Sequence, residues 1–441
     1  MQHEVWLDRD LAGWLSYEQG SNRFAFAYAP AWLTRPGAYP LGPTLPLVPA
    51  PATPDEHSAR VRQFFENLLP EGQALDDAAQ TYRVSKSNLT GLLIALGRET
   101  AGAVRLVLPG AVEQDQDRRR LLTHKELSER IHARPQTPFT VWDGKVRLSM
   151  AGFQDKLAVL EDAGEWYLAE GPDLASTHIL KPEPVNPVLA GLTSNEFFCM
   201  RLAAACDLDT ARVQLHHIPD AVLSVTRFDR YRQGAAVRRR HVFDGCQLLG
   251  LPSGYKYERP YGDNPDVRAV RDGASLPRLF KAIDASPQPV KARLQLLRWL
   301  VFQVLLGNAD AHAKNLSFHM TAAGLVQAPA YDLVCSAPYR EGNVNQAYAM
   351  AIGDAFSTQE LTPYEWAQFC VATGVSPSLA RKELERGVKV IRARLPGVAA
   401  AVQQEGAVPE VVQRITEVVE AECARQLALA PHIKDMMAAA R

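Results

Sequence analysis

The chain has 441 residues, 47% of them apolar and 22% charged, with 48 basic against 49 acidic side chains and a formal charge of -1. Such values belong to globular proteins and exclude a disordered, fibrous or collagen-like chain. So even a balance also excludes a protein whose main work is coating nucleic acid or an anionic membrane, while leaving room for a local basic patch.

The six cysteines (Cys199, Cys206, Cys246, Cys335, Cys370 and Cys423) make no C-x-x-C pair. Neither a disulfide frame nor a thiolate zinc site is therefore expected, and they read as small core residues. The opening "MQHEVWLDRD" lacks the pattern of a secretory signal, and the most apolar run, Leu294 to Gly307, is interrupted by Arg298 and Gln303 and is too short to span a bilayer. A cytoplasmic protein without a membrane partner is the expectation.

In chain order, "EVWLDRDLAGWLSY" and "RFAFAYA" alternate apolar and polar positions and predict short strands. Seven prolines between Arg35 and Pro54 then predict an extended connector, since each fixes φ and removes a donor. Helical spacing returns in "HSARVRQFFENLLPEG" and "SKSNLTGLLIALGRE", and "AGAVRLVLPG" reads as a strand. These elements predict an accessory subdomain over 1–110 and a surface linker over 111–144, the latter containing the charged run "EQDQDRRR".

From Lys145 the texture is β. "KVRLSMAG", "KLAVLEDAGEWYLA" with its Asp162-Ala163-Gly164 turn, "THILKPE" and "AVLSVTRFDRY" are strand candidates, interrupted by one helix at "TSNEFFCMRLAAACDL". Beyond about residue 280 helices dominate; "VKARLQLLRWLVFQVLLG" is apolar nearly all round, with Gly307 where a C-terminal cap belongs. The expected fold class is therefore α+β and bilobal, protein-kinase-like: a β-rich lobe with hinge over 145–280 and an all-helical lobe over 281–441.

Phosphoryl transfer needs a lysine on the nucleotide phosphates, oxygen ligands for Mg²⁺, a carboxylate beside the attacking hydroxyl and a slender loop over the phosphates. In "LLGNADAHAKNLSF", Asp310 and Asn315 have the D-x-x-x-x-N spacing of a catalytic loop, though Asp310 as a turn cap and His312 and Lys314 as solvated side chains fit the same letters. Asp332 in "APAYDLVCS", preceded by Tyr331, lies where a metal-binding aspartate would stand. Lys181 ends an apolar strand, which packing explains poorly. Glu196 opens the next helix, either as the partner that orients that lysine or as the last residue of a Thr193-x-x-Glu196 capping box. The turn "SMAGFQDK", Ser149 to Lys156, stands where a phosphate-covering loop would, and an ordinary hairpin turn is the alternative.

Together "SMAGFQDK", "THILKPE", "NEFFCMRLA", "VTRFDRY", "DGCQLLG", "GNADAHAKNLSF" and "YDLVCS" resemble, in order and spacing, the HipA family of bacterial serine/threonine kinases, the toxin halves of HipBA toxin–antitoxin modules. "FAYAPAWL", "FFENLLPEG" and "GRETAGAVRLV" resemble that family's accessory subdomain. The resemblance implies Asp310 as catalytic aspartate, Asn315 and Asp332 as Mg²⁺ ligands and Lys181 as the phosphate lysine. It further implies that Ala151, Gly152, Phe153, Gln154, Asp155 and Lys156 bind ATP phosphates, that Thr226, Arg227 and Phe228 form the adenine hinge, and that His312, Lys314 and Tyr331 complete the nucleotide site. Ser149 matches the autophosphorylated serine. The partners it implies are a HipB-like helix-turn-helix antitoxin, operator DNA reached mainly through that antitoxin, and a protein substrate of the aminoacyl-tRNA synthetase kind.

The chain departs from ordinary protein kinases: no H-R-D precedes Asp310, no glycine succeeds Asp332, and no A-P-E is present. Two rival readings are a small-molecule phosphotransferase of the aminoglycoside or choline type and a silent co-repressor on a kinase-like fold. The basic run Arg227 to His241 reads as a solvated hairpin, with contact to nucleic-acid phosphates as the alternative.

Overall fold

The computed structural model describes residues 2–49, 51–111, 116–134, 136–147, 154–342 and 344–441. The chain divides into two compact units, one made of Met1–Val185, His216–Ser253 and Phe318–Leu325, the other of Asn186–Leu215, Gly254–Ser317 and Val326–Arg441.

The first unit begins with the expected strands, β1 (Gln2–Leu7), β2 (Asp10–Glu18) and β3 (Arg23–Tyr28), which join β4 (Val104–Val107) in an antiparallel sheet of order β3-β2-β1-β4. Alternation in "HEVWL" turns Val5 and Leu7 inward, which fixes the register because a slip of one residue would expose both. After the short α1 (Pro30–Thr34) the proline-rich stretch forms no helix. Then α2 (Pro54–Glu66) starts at a Thr53/Glu56 capping box and lies on β3, with the Ser58 hydroxyl accepting from the Phe24 amide at 2.9 Å. Two further helices come next, α3 (Gly72–Tyr82) and α4 (Leu89–Leu96). The sequence reading missed α3.

A second antiparallel sheet runs β11-β12-β10-β8-β9-β5. Its strands are β5 (Arg118–Leu122), β8 (Leu157–Asp162), β9 (Glu165–Glu170), β10 (His178–Pro182), β11 (Val213–Ile218) and β12 (Asp220–Thr226). Ala163 and Gly164 both take positive φ, 53° and 83°, which gives the β8–β9 turn its primed hairpin geometry. Residues 111–144, expected as a surface linker, behave otherwise. They supply β5, α5 (His124–His132) and β6 (Val141–Trp142), which pairs with β7 (Lys145–Val146), and they bury Leu122, Leu127, Ile131, Phe139 and Trp142 against Leu157, Val159, Leu168 and Leu180. The charged letters of β5 hid it: it is an edge strand, so Arg118, Arg119 and Arg120 stay exposed while Leu122 is buried.

The basic run is the hairpin β13 (Arg230–Gln233) and β14 (Ala236–Arg239), as expected, and residues 231–235 are exposed, but three of its arginines are not solvated. Arg227, Arg230 and Arg239 are buried. Arg227 bonds Asp229 at 3.0 and 2.7 Å, Glu99 at 3.0 Å, Ser176 at 2.8 Å and the Thr100 carbonyl at 3.0 Å. Arg230 donates to Asp229 at 2.8 Å and the Gly102 carbonyl at 2.8 Å, while Arg239 donates to Glu99 at 3.0 Å. The Gly102 amide closes the circuit on Asp229 at 2.7 Å. Gly102 sits at φ 73°, and a Cβ there would lie 2.5 Å from the Val242 carbonyl oxygen, so the turn needs glycine. Beyond the hairpin come β15 (Val242–Asp244), which sheets with β16 (Ser317–Thr321) and β17 (Gly324–Gln327), and α7 (Gly245–Leu249), capped by an Asp244/Gln247 box.

The second unit is helical, formed by α6 (Leu192–Ala205), α8 (Leu276–Ala282), α9 (Pro289–Leu306), α10 (Pro363–Thr373), α11 (Pro377–Gln404), α12 (Pro409–Leu429) and α13 (Met437–Ala440). Apolar nearly all round, α9 packs against α11 and α12 and buries Leu296, Leu297, Trp299 and Val301 through Leu306. The β16–β17 hairpin interrupts the all-helical stretch expected from 281 onward, and its residues Phe318–Leu325 belong to the first unit. Thr193 does not cap α6: the helix already begins at Leu192 behind Gly191, so Glu196 lies inside it, buried. The six cysteines are free and buried.

Burial pushes the Glu99 carboxyl up, but Arg239, Arg230 and Arg227 overrule it and hold it down at about 2. Asp229 is likewise held far below the carboxylate range: burial opposes, and Arg227 and Arg230 prevail. Removing one anion strands desolvated guanidinia. Asp229→Asn is therefore expected to lower unfolding free energy by about 3–5 kcal/mol, read by urea denaturation, whereas Asp55→Asn at an exposed pair has a much smaller effect.

Candidate active site

The second unit's candidate residues begin where α9 stops. Gly307 takes φ 70° and its amide returns to the Gln303 and Val304 carbonyls, ending the helix in a left-handed cap. Asn308 then folds back on the helix, its amide nitrogen donating to Gln303 Oε1 at 2.8 Å, while its own Oδ1 accepts from the Asp310 amide at 2.9 Å. The Ser336 hydroxyl accepts from the Ala309 amide at 3.1 Å, and the Ser336 amide donates to the Gly307 carbonyl at 3.0 Å. The loop is thus pinned on both sides before Asp310 is reached.

Asp310 is the loop's centre. Its carbonyl accepts from the His312 amide at 2.8 Å and from Asn315 Nδ2 at 2.9 Å; its Oδ1 accepts from the Tyr257 hydroxyl at 2.7 Å. The D-x-x-x-x-N spacing therefore has a local cause, since a short 3₁₀ turn over Ala313–Asn315 brings the carboxamide back onto the aspartate's backbone. With Nδ2 committed there, the Oδ1 end of Asn315 is the one left to meet a cation.

His312 is buried and stacks edge-on to Tyr257 at 5.1 Å. Burial, with Lys256 adding to it, drives its imidazole down to about 3, although Asp332 pulls the other way. Lys256 and Asp332 therefore both lie within electrostatic reach of the loop, and His312 acts there as a neutral ring. Tyr331 donates to the Lys314 carbonyl at 2.6 Å and meets the Ser317 hydroxyl at 2.7 Å. Asp332 itself takes φ 56°, a left-handed backbone that a non-glycine residue adopts only when its surroundings fix it. Two anchors do so: a parallel bridge between Thr210 and Ala330, and the Asn195 side chain, which donates to the Cys335 carbonyl and accepts from its amide, each at 2.9 Å. Asp310, His312, Lys314, Asn315, Tyr331 and Asp332 are thereby brought together, while Glu196 belongs to this unit as the neighbour of Asn195 on α6.

In the first unit Lys181 lies on β10, opposite Leu223 of β12, and is buried. The β8–β10 register pairs Leu157 with Leu180, and carried one residue further it sets Lys156, also buried, opposite Lys181 on the same face. Asp155 is held at 3.0 Å by Arg134, whose other nitrogen donates to the Glu183 carbonyl at 3.0 Å, and Gln154 donates to the Pro182 carbonyl at 3.4 Å. Both side chains thus serve the strand ends. At the predicted hinge, the Arg227 amide donates to the Thr177 carbonyl at 2.8 Å, Thr226 meets His178 at 3.1 Å and Phe228 packs edge-on against His319 at 5.9 Å. The Arg227 side chain is consumed by the buried ion network and its amide by the Thr177 carbonyl. Ser149, Ala151, Gly152 and Phe153 lie outside the described residues. Among the described residues no three His, Cys, Asp or Glu side chains cluster as a metal site.

Sequence reasoning missed Tyr257, Lys256, Arg134, Asn195 and Ser336. All act from loops or helices far along the chain, and no spacing pointed to them.

Both halves of the chain have counterparts among known proteins. The HipA-like C-terminal domain model matches residues 148–395 and the HipA N-terminal domain model residues 3–107. A serine/threonine-protein kinase toxin HipA of Shewanella oneidensis is 37% identical over 402 residues, 90% of this chain and 88% of that one. A putative kinase, Y4mE, of Sinorhizobium fredii is 33% identical over 390 residues, 86% and 87% of the two chains. The solved Shewanella oneidensis complex of HipA, HipB and operator DNA superposes with a TM-score of 0.86 at 35% identity, covering 98% of this chain and 99% of that one.

The His312 environment has a consequence for acid stability. Its imidazole titrates at 6.5 when unfolded and near 3 when folded, so its contribution is complete above pH 6.5 and is lost as pH falls toward 3. Unfolding free energy is expected to drop by about 1.4 kcal/mol per pH unit across that window from this group, and His312→Gln to flatten the slope, both read by denaturant titrations at stepped pH.

Proposed function

The chain belongs to the HipA family, a family of serine/threonine-protein kinase toxins, and on that premise we propose that it transfers the γ-phosphate of ATP to protein serine or threonine. The observation that supports this most is the Asp310 loop, where Tyr257 fixes the carboxylate and Asn315 and Asp332 present hard oxygen donors in one neighbourhood. In the reaction, Asp310 accepts a hydrogen bond from the substrate hydroxyl and orients it. The hydroxyl oxygen bonds to the γ-phosphorus, the bond from phosphorus to the β–γ bridging oxygen breaks, ADP leaves, and the hydroxyl proton passes to Asp310. Asn315 Oδ1 and Asp332 would hold Mg²⁺, which supplies neutralisation of charge on the transferring phosphoryl group. Lys156 and Lys181 take phosphate oxygens, and the backbone of Thr226 to Phe228 takes adenine.

We further assign Ser149 as an autophosphorylation site that silences the enzyme, because nearly two added negative charges on the 151–156 stretch oppose ATP. As partner we propose a HipB-like helix-turn-helix antitoxin that carries the pair to operator DNA. The burial of Arg227, Arg230 and Arg239 removes half of the basic run from any DNA contact, so the antitoxin does the reading. An aminoacyl-tRNA synthetase is the proposed class of substrate.

Incubation with labelled ATP tests the reading. Asp310→Asn should keep ATP binding by calorimetry and lose transfer by about a thousandfold; transfer near the native rate overturns the assignment. Ser149→Asp should weaken ATP affinity by about tenfold or more, and unchanged affinity rejects the charge mechanism.

A further inference from the structure

Two neighbouring residues from outside the Asp310 loop, Lys256 and Tyr257, meet it within the second unit. Their backbone is tied down on both sides of Asp310. The Lys256 carbonyl accepts from the Ala313 amide at 3.1 Å, the Glu258 amide donates to the Ala349 carbonyl at 2.8 Å, and the Ala349 amide donates in turn to the Ala309 carbonyl at 3.0 Å. The Glu258 carboxylate completes the anchor from a buried position, accepting from the Ala351 amide at 2.8 Å and from Arg271 at 2.6 Å. Residues 256–258 are therefore fixed against the loop at Ala309, before Asp310, and at Ala313, after it.

That anchored backbone sets where the Lys256 side chain goes. Its Nζ lies 5.5 Å from the centre of the Tyr257 ring, and the hydroxyl of the same ring donates to Asp310 Oδ1 at 2.7 Å. The ring also meets His312 edge-on at 5.1 Å, and after burial the Lys256 charge is the next cause of the lowered His312 imidazole. Both observations put the ammonium beside the Asp310 carboxylate. Two lysines belong to this neighbourhood, and they differ in access: Lys314 is buried, whereas Lys256 is half-buried and stays open to what approaches Asp310.

Resting on the kinase reading of this site, we propose that Lys256 is a further catalytic residue, its ammonium meeting the non-bridging oxygens of the phosphoryl group as that group passes to the acceptor hydroxyl on Asp310. In the transition state the phosphoryl charge is spread over three equatorial oxygens, where a cation already in place stabilises it. The hydroxyl proton moves to Asp310 in the same step, which neutralises the carboxylate beside Lys256 and leaves the phosphoryl group as the anion it faces. Lysine suits this role because its charge is compact and rides on a flexible stem. An interaction that strengthens only as the phosphoryl group transfers speeds the reaction without tightening nucleotide binding.

The test compares the native full chain with Lys256→Met, which keeps the stem and loses the charge, and Lys256→Arg, which returns a cation. Calorimetry would measure Mg²⁺–ADP binding alone and with aluminium fluoride, which stands in for the transferring phosphoryl group, and labelled ATP would give the rate of transfer. Lys256→Met should leave ADP affinity within about twofold of native, weaken the aluminium fluoride complex by about tenfold or more, and slow transfer by about a hundredfold. Lys256→Arg should transfer at least about tenfold faster than Lys256→Met. A side chain that only shaped the loop would change both affinities together. The assignment is overturned if Lys256→Met binds the fluoride complex as the native chain does, if it weakens both complexes alike, or if the two variants transfer at the same rate. A native chain that binds no Mg²⁺–ADP overturns the kinase reading itself, and this assignment with it.

Discussion

Three buried arginines, the buried Asp229 and the partly buried Glu99, drawn from elements distant in sequence, set the geometry of the first unit. Glu99 stands just after α4, Asp229 and Arg230 open the β13–β14 hairpin, and Arg227 stands just after β12. Desolvating five ionised groups is expensive, and the cost is met only when every donor finds its acceptor at once. The network therefore behaves as an all-or-none lock: it fixes the N-terminal strands and helices, the hairpin and the strand exit at Thr226 to Phe228 in one arrangement. It also turns the Arg227 side chain away, so that any ligand there meets backbone.

In the second unit the corresponding constraint is the end of α9. A helix whose last two turns are buried on all sides must stop where its last carbonyls can still be satisfied, and the left-handed Gly307 with the Asn308 and Ser336 side chains does this. The chain leaves that helix end as a polar loop held against apolar packing, with Asp310 presented at a fixed angle by Tyr257. The same logic holds Asp332 in its unfavourable backbone conformation, because Asn195 and the Thr210–Ala330 bridge clamp either side of it. Chemistry and packing are here carried by the same hydrogen bonds.

The described residues show how charged letters mislead when read locally. Arg118 to Arg120 looked like a linker and form an edge strand; Arg227 to Arg239 looked like a solvated hairpin, and three of its arginines are buried. In both places the pattern of residue types was legible while their environment was not. A guanidinium is tolerated in a core only with a carboxylate beside it, and Glu99 is more than a hundred residues from the arginines it neutralises.

From the letters alone came many of the strands and helices outside 72–82 and 111–144, the helix stop at Gly307, the Asp310 and Asn315 pair and Asp332, because each rests on local periodicity, a cap, or spacing within one loop. Tertiary structure decided which charges were buried, Lys156 and Lys181 among them, and which side chains hold the loop in place. Those depend on register and on partners far along the chain, and a one-residue slip or a missing carboxylate would reverse them, so no local pattern encodes the result.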